Sequence, residues 1–160
     1  MLTIRPFVEG DTQEIIHLIL HFQNDGTRPP VTVADQPDLL SISQTYIRPG
    51  GNFWVARDGA QLAGTIGLMR HGADQAVLKK FFVYEPYQGA PHHTGRRLYA
   101  TLLTFARERG VRTLVLDTPR NTHRAHRFYQ KAGFRQIAEE ELPFRYSRPY
   151  ADSDFFLLEL

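Results

Sequence analysis

The segment from Gln88 to Arg97 carries the residues best suited to hold a phosphate-bearing ligand. It reads Gln-Gly-Ala-Pro-His-His-Thr-Gly-Arg-Arg and lies between an apolar run and a helical pattern. A glycine-bounded turn that leads from a strand into a helix presents backbone N–H groups and the positive end of the helix dipole to anions. We expect Thr94 to be the N-cap residue, with Gly95, Arg96 and Arg97 in the first turn.

The two arginines are positively charged, which is unfavourable at a helix N-terminus. The helix macrodipole favours anions at a helix N-terminus by about 0.3–1 kcal/mol each, so a bound anion beside Arg96 and Arg97 would reverse their cost. Alternatively, both side chains extend into water at little cost. These residues alone leave both interpretations open.

The elements around this segment form a strand, helix, strand unit. Residues Ala76 to Val83 and Thr113 to Leu116 are largely apolar, as buried strands are. The helix between them has one apolar stripe, formed by Leu98, Leu102, Phe105 and Ala106, and Gly110 can end it. This order predicts a βαβ unit with parallel strands.

The first third of the chain predicts one strand and two helices. We expect a strand over Leu2 to Pro6 and a helix over about Thr12 to Gln23, where apolar residues recur at helical spacing. A second helix is expected to run through Tyr46, with Asp35 or Asp38 as its cap.

The remaining pattern predicts strands around a short last helix. Asn52 to Arg57 and Gln61 to Arg70 flank an Asp-Gly pair, which is a hairpin signal. Lys79-Lys80 interrupts the next strand and indicates a bulge or an edge. Ala125, Phe128, Tyr129 and Ala132 form the apolar face of the last helix, which ends near Gly133 and precedes strands at Phe134 to Ala138 and Asp154 to Leu160.

The amino-acid composition excludes several classes of protein and of site. The chain has 160 residues, of which 42% are hydrophobic, and this size fits one domain over residues 1–160. Its net charge of +2 argues against a nucleic-acid partner. There is no cysteine, which excludes disulfides, thiolate metal sites and a cysteine nucleophile. The N-terminus lacks a signal-peptide pattern and no long apolar run occurs, so we expect a soluble cytoplasmic protein without a membrane span.

Four motifs in order resemble one family. They are Val83-Tyr84-Glu85-Pro86-Tyr87-Gln88-Gly89, Gly95-x-x-Leu98, the apolar strand to Leu116, and Ala125-x-x-Phe128-Tyr129-x-x-Ala132-Gly133-Phe134. Together they resemble the GNAT superfamily of N-acetyltransferases. The resemblance implies an α/β class protein with a mixed α+β sheet, six to seven strands, about four helices and a central βαβ unit. It also implies acetyl-CoA as acyl donor and a primary amine as acceptor.

The phosphate loop departs from the family pattern. Gln88 reaches Gly95 with two residues more than the family spacing, and His93 stands where the family's middle glycine would align. Pro91 also removes one N–H donor. Side chains of the histidines and arginines could replace the lost amide contacts, or the cofactor binds weakly.

The resemblance implies a set of cofactor contacts. The pantetheine would pair with Phe81, Phe82 and Val83, and the pyrophosphate would meet the segment from Gln88 to the helix start. The implied cofactor-binding residues are therefore Phe81, Phe82, Val83, Gln88, Gly89, His93, Thr94, Gly95, Arg96, Arg97 and Asn121. Asn121 lies one position further from Tyr129 than is usual in the family.

The resemblance also implies catalytic roles. A tyrosine at the position of Tyr129 protonates the leaving thiolate, although a phenol with a pKa of about 10 needs help from the site to do so. The alternative is that Tyr129 is a core residue. Asp117 or Glu85 could take the proton from the acceptor ammonium, but each could equally be a loop cap, and a water relay is the third possibility.

Other polar residues support weaker hypotheses. His123 and His126 have a spacing that can hold a metal, but without cysteine or an evident carboxylate partner we expect them on the surface and predict no metal site. Tyr146, Tyr150, Asp152 and Asp154 could line an amine pocket or form an ordinary hairpin loop.

We therefore expect an acetyl-CoA-dependent N-acetyltransferase that acts by direct attack of the amine in a ternary complex, as a monomer or homodimer. The acceptor is expected to be a small-molecule or peptide amine. The alternatives are a non-catalytic acyl-CoA binding module and an enzyme acting on a macromolecular amine, such as a protein N-terminus or aminoacyl-tRNA.

Overall fold

The apolar runs pair into one seven-stranded mixed sheet. The computed structural model describes residues 1–120 and 122–160. The strands are β1 (Leu2–Pro6), β2 (Asn52–Asp58), β3 (Gln61–His71), β4 (Gln75–Val83), β5 (Thr113–Pro119), β6 (Arg135–Ile137) and β7 (Ser153–Glu159). They lie in the order β1-β2-β3-β4-β5-β7-β6, with β4 and β5 parallel and the other described neighbours antiparallel.

Within residues 1–120 and 122–160, three α-helices cover the two faces of this sheet. They are α1 (Thr12–Gln23), α2 (Thr94–Glu108) and α3 (His123–Lys131). Successive residues of β2 point to opposite faces, so Trp54 packs in one core with α2 and α3 while Phe53 packs in another with α1. The apolar stripe predicted for α2 is buried at Leu98, Leu102 and Ala106, and Tyr99 joins it. No helix in the described ranges is long and apolar enough to cross a membrane.

The structure confirms the predicted fold class. The helix Thr12–Gln23, the hairpin and the βαβ unit all occur where the sequence pattern placed them. The second early helix was wrong as a continuous α-helix, since a 3-10 turn at Pro37–Leu40 and a π turn at Ser43–Ile47 stand there instead. Ser41 has a non-helical backbone, with φ −146° and ψ 48°, and it separates the two turns, so no continuous helical ladder forms.

Neither predicted cap of that helix acts as one. The hydroxyl of Tyr46 donates a 2.6 Å hydrogen bond to Asp38. The carboxylate of Asp35 accepts the backbone N–H of Thr32 at 2.9 Å, which closes a separate 3-10 turn. Both carboxylates therefore stabilise short turns in the segment before β2.

The paired part of β4 and β5 is short. Register partners extend only from Gln75 with Thr113 to Val77 with Val115, although both strands continue beyond. The strands therefore diverge towards their carboxyl ends. The edge of β4 that would otherwise pair with β5 is left free to hydrogen-bond a ligand from Leu78 onwards.

A β-bulge sharpens this divergence. The register of β3 against β4 shifts between Thr65 and Gly67, and Lys80 has a positive φ of 55° at that point. The hydroxyl of Thr65 donates a 2.7 Å hydrogen bond to the carbonyl of Lys80 and fixes the bulge. The Lys79-Lys80 interruption thus marks a bulge, and it lies where β4 is no longer paired with β5 and has one free edge.

Candidate active site between the diverging strands

The diverging strands open a cleft of about 760 Å³. Residues 78–83 of β4 form one wall, and Asp117 of β5 and Tyr129 of α3 lie on the other. The loop before α2 lines one end. Residues that follow α1 and precede β7, among them Arg28 and Tyr150, line the other end.

Most of the predicted site residues meet in this cleft. The lining includes Phe81, Phe82, Val83, Gln88, Gly89, His93, Gly95, Arg96, Asp117 and Tyr129. Three predicted residues lie elsewhere. Glu85 is exposed in a 3-10 turn and contacts His21 at 3.1 Å, Arg97 donates to the carbonyl of Leu2 at 3.1 Å, and Thr94 is fully buried. Asn121 lies outside the described residues.

The prediction that Thr94 caps α2 was wrong. The helix begins at Thr94, and the N-cap residue is His93, which has a left-handed backbone and no side-chain cap. The N–H of His93 donates to the carbonyl of Gly89 at 2.8 Å, so the backbone closes the turn. The hydroxyl of Thr94 is left buried without a partner among the described residues.

The turn before α2 contains a left-handed residue that is not glycine. Glycine adopts a positive φ freely, whereas for an L side chain it costs about 1–2 kcal/mol. His93 has φ 50° and therefore carries this cost. The loop therefore keeps the backbone direction that a glycine would give, with an imidazole added at the cleft wall.

Gln88 connects the two walls at this end of the cleft. Its amide nitrogen donates to the carbonyl of Val83 at 2.8 Å, and its amide oxygen accepts a hydrogen bond from Arg124 of α3. Arg96, Arg124 and His93 all line the same end. This concentration of cationic and N–H groups at a helix start is suited to an anionic group.

Tyr129 lies at the middle of the cleft with its ring in the core. It is 6% exposed and packs against the rings of Phe134 and Phe156, with centroids 5.6 and 5.9 Å away. Burial, and then the nearby Asp117 and Tyr99, raise the pKa of its hydroxyl well above the ordinary value, and no hydrogen bond contributes. The hydroxyl therefore carries its proton at neutral pH, and the same rise in pKa makes it a weaker acid than a solvated phenol.

Asp117 lies within β5 rather than just past it. Burial raises the pKa of its carboxyl, while a 2.9 Å hydrogen bond from the hydroxyl of Tyr146 and the charges of Lys79, Arg148 and Lys80 oppose that rise. A carboxylate with a raised pKa is a stronger base than a solvated one. Tyr146 was considered as a pocket residue on sequence grounds, and here it orients Asp117.

Sequence reasoning missed Lys79 and Lys80 as cleft residues. The side chain of Lys80 is buried, its ammonium donates to Gln36 at 2.6 Å, and burial lowers its pKa to about 8. The ammonium of Lys79 donates to the carbonyl of Ser147 at 2.8 Å. The available signal was the pair of lysines inside an otherwise apolar strand.

The last loop only partly matches its predicted role. Tyr150 lines the cleft, and its hydroxyl donates to the carbonyl of Gln23 at 3.1 Å. Asp152 and Asp154 instead pair with Arg120 at 3.1 and 3.5 Å. His123 lines the cleft, but within residues 1–120 and 122–160 no group of three or more potential ligands could hold a metal ion.

Comparisons with known proteins agree with this architecture. A sequence model of the acetyltransferase (GNAT) family matches residues 16–134. The crystal structure of an acetyltransferase from Streptococcus agalactiae is 34% identical, covers 99% of this chain and 98% of its own, and superposes with a TM-score of 0.94.

Two further proteins are more distant. N-acetyltransferase family 8 member 2 from Rattus norvegicus is 30% identical over 63% of this chain and 46% of its own. The chain spans about half the length of the curated relatives it matches. N-acetylglutamate synthase from Neisseria gonorrhoeae, solved with coenzyme A and N-acetyl-glutamate, shares the fold with a TM-score of 0.75 at 21% identity, over 100% of this chain and 35% of its own. The chain belongs to the acetyltransferase (GNAT) family.

Proposed function

We propose that this chain, acting as one domain over residues 1–160, transfers the acetyl group of acetyl-CoA to a primary amine. The observation that carries the proposal is the free edge of β4 across a cleft from Tyr129, beside a cation-rich helix start. The acceptor is a small-molecule or peptide amine, because a net charge of +2 gives little overall attraction for nucleic acid.

The residues of the cleft suit acetyl-CoA. The free backbone edge at Phe81, Phe82 and Val83 supplies donors and acceptors for the amides of the pantetheine. The N–H groups and side chains from Gln88 to Arg96 supply positive charge for the pyrophosphate. Bound there, acetyl-CoA supplies a thioester that a neutral amine can attack.

Two side chains of the chain would move the protons. Asp117, whose pKa is raised by burial, takes a proton from the acceptor ammonium directly or through water. Tyr129 holds its proton at neutral pH. Burial weakens it as an acid, but the same burial makes a leaving thiolate a stronger base, and Tyr129 donates its proton to that thiolate. The chain contains no cysteine, so the amine attacks in a ternary complex without a cysteine acyl-enzyme.

The first test follows release of the free CoA thiol from acetyl-CoA with a panel of amines. A thiol reagent gives no background here, because the protein has no cysteine. We expect Tyr129→Phe to lower turnover by about 100-fold, the usual contribution of a general acid, with acetyl-CoA binding unchanged.

Tyr99→Phe is the matched control. Tyr99 is also a buried tyrosine of the same core, and its hydroxyl has no hydrogen-bond partner among the described residues, but it does not line the cleft. It should keep wild-type turnover. Full turnover in Tyr129→Phe would contradict the acid role of Tyr129. Acetyl-CoA that binds while no amine is acetylated would contradict acetyl transfer and favour a binding module.

A further inference from the structure

The end of the cleft away from α2 is also cationic. Lys79 comes four residues before Val83 on β4, so it lies about 13 Å from the end that holds Gln88. Lys79 and Lys80 both line the cleft there, and Arg28 joins them from the loop after α1. The carboxylates that line the same cleft are Asp25, which is exposed, and Asp117, which accepts the hydroxyl of Tyr146 through one oxygen and interacts with the charges of Lys79 and Lys80.

Within the part of the chain that the structure describes, Arg28 has only a solvated carboxylate as its counter-charge. Hydrogen bonds from Thr27, and then the charge of Arg28, lower the pKa of the exposed Asp25. The guanidinium carbon of Arg28 lies 5.3 Å from the ring centroid of Tyr150. Its Nε atom is buried and has no hydrogen-bond partner among the described residues. A buried, charged donor without a partner is costly, and a bound anion would remove that cost.

A continuous chain of contacts links Arg28 to Lys80. Tyr150, under the guanidinium, donates to the carbonyl of Gln23. The side chains of Gln23 and Gln36 exchange hydrogen bonds at 3.1 and 2.5 Å, and the oxygen of Gln36 accepts the ammonium of Lys80 at 2.6 Å. The two cations are therefore connected through one network of side chains and backbone.

Lys80 is only partly compensated by its surroundings. Its nearest carboxylate, Asp38, is 3.7 Å away and already accepts the hydroxyl of Tyr46. Lys79 directly precedes Lys80 in the chain and adds a like charge. An anion at this end of the cleft would be attracted by Lys79, Lys80 and Arg28 together.

We propose that the acceptor is a small amine that also carries a carboxylate, as an α-amino acid does. Arg28 and Lys80 bind the carboxylate, and Asp117 faces the amine. The inference rests on the proposed acetyl transfer and names the acceptor class for it. A carboxylate fits because the guanidinium can pair with both of its oxygens.

The transfer balances with these groups. The acceptor ammonium gives one proton to Asp117, its nitrogen bonds to the acetyl carbon, and the carbon–sulfur bond breaks. Tyr129 protonates the thiolate and is restored by the second proton from the nitrogen. Asp117 then releases its proton to water, which leaves the amide, CoA thiol and one free proton.

The experiment measures thiol release by the full chain at saturating acetyl-CoA with matched acceptors. These are the common L-amino acids, their C-terminal amides, the corresponding decarboxylated amines, and phosphoethanolamine as an amine with a different anion. We expect at least one amino acid to have a kcat/KM about 10- to 100-fold above that of its amide.

Arg28→Gln tests the assignment of the carboxylate site. It should raise KM for the amino acid about 10- to 100-fold with little change in kcat, and it should remove the preference over the amide. Arg28→Lys should recover part of the lost affinity for the amino acid. The positive charge remains, but an ammonium cannot pair with both carboxylate oxygens as a guanidinium does. The control is Arg135→Gln, an exposed arginine on β6 that does not line the cleft, and it should change nothing.

Several outcomes overturn the inference while acetyl transfer stands. They are equal use of an amino acid and its amide, a preference for phosphoethanolamine or a decarboxylated amine, a preference that survives Arg28→Gln, and no turnover of any carboxylate-bearing acceptor by protein that binds acetyl-CoA. Failure to bind acetyl-CoA overturns the proposed function itself and takes this inference with it.

Discussion

Asp11 and Asp117 are two carboxylates largely shielded from water in the same chain. Their surroundings shift their pKa values in opposite directions. Asp11 is surrounded by donors: Arg5 at 2.8 Å, Arg57 at 3.0 Å and the N–H of Val8 at 3.0 Å. Burial alone would raise its pKa, but these hydrogen bonds outweigh burial and lower the pKa to about 2. Asp117 has one direct partner, the hydroxyl of Tyr146, and burial leaves its pKa raised.

The difference separates a carboxylate that stabilises the fold from one that can do chemistry. Asp11 joins β1, α1 and β2, and its proton affinity is too low for it to act as a base near neutral pH. Asp117 lines the cleft, keeps accessible surface, and has a proton affinity shifted towards the pH at which it would act. Perturbed carboxyls of the second kind cluster at functional sites.

The largest expected effect comes from Asp117→Asn. The amide cannot accept the proton of the acceptor, so kcat/KM should fall by about 10² to 10⁴, the range for loss of a general base. Tyr146 can still donate to the amide oxygen, so the melting temperature should stay near that of the wild type. Steady-state kinetics and a thermal melt check this. Wild-type kinetics with lost stability would make Asp117 a second structural carboxylate.

Asp11→Asn should lower stability and leave activity unchanged. It leaves Arg5 and Arg57 facing a neutral group, and we expect a loss of about 2–3 kcal/mol in the free energy of unfolding. For a domain of this size that is about 5–10 °C in melting temperature. Thermal and denaturant unfolding measure the loss, while kcat at a temperature where the variant is folded should equal that of the wild type.

The pH dependence of the free energy of unfolding at acidic pH gives an independent check on Asp11. Its pKa falls from an ordinary 3.8 to about 2 on folding, so its contribution is fully present above about pH 4. That contribution, about 2 kcal/mol, should disappear as the pH falls from about 4 to about 2. In Asp11→Asn this portion of the pH dependence should be missing. Parallel acid curves for the two proteins would contradict the role given to Asp11.

A smaller effect is expected from Tyr146→Phe. The hydrogen bond from Tyr146 lowers the pKa of Asp117 against the effect of burial, so its removal raises that pKa further. The base form of Asp117 then appears only at higher pH, and the acidic limb of the kcat/KM profile moves upward. Activity at pH 8 should change little. An unmoved limb would mean that another group is the base.

The sequence predicted those parts of the fold that depend on local pattern. Apolar spacing and an Asp-Gly turn are enough for α1 and the hairpin, because both form between near neighbours. The irregular segment from Pro37 to Ile47 was missed because its turns depend on contacts of Asp38 and Tyr46 with the sheet.

The candidate site was only partly predictable for a similar reason. Asp117 could be placed at the right strand, but its partner Tyr146 is 29 residues away in the chain. Lys80 depends on Gln36, which is 44 residues before it. The helix start was misassigned because the left-handed backbone of His93 cannot be inferred from a histidine. Such contacts are fixed by the sheet order rather than by any local pattern.

The most direct test of the account is thermal unfolding with acetyl-CoA in the wild type and in Gly95→Trp. Gly95 lines the cleft at the start of α2, so an indole there blocks the proposed phosphate end. Gly10→Trp is the control, because nothing lies within 4 Å of a side chain added at that exposed glycine.

Ligand at about 100 times its dissociation constant should add about 2.7 kcal/mol and raise the melting temperature by about 5–10 °C. We predict this rise in the wild type and in Gly10→Trp, and its loss in Gly95→Trp. No rise in the wild type at millimolar acetyl-CoA, or an equal rise in Gly95→Trp, would contradict the placement of the cofactor between β4 and β5.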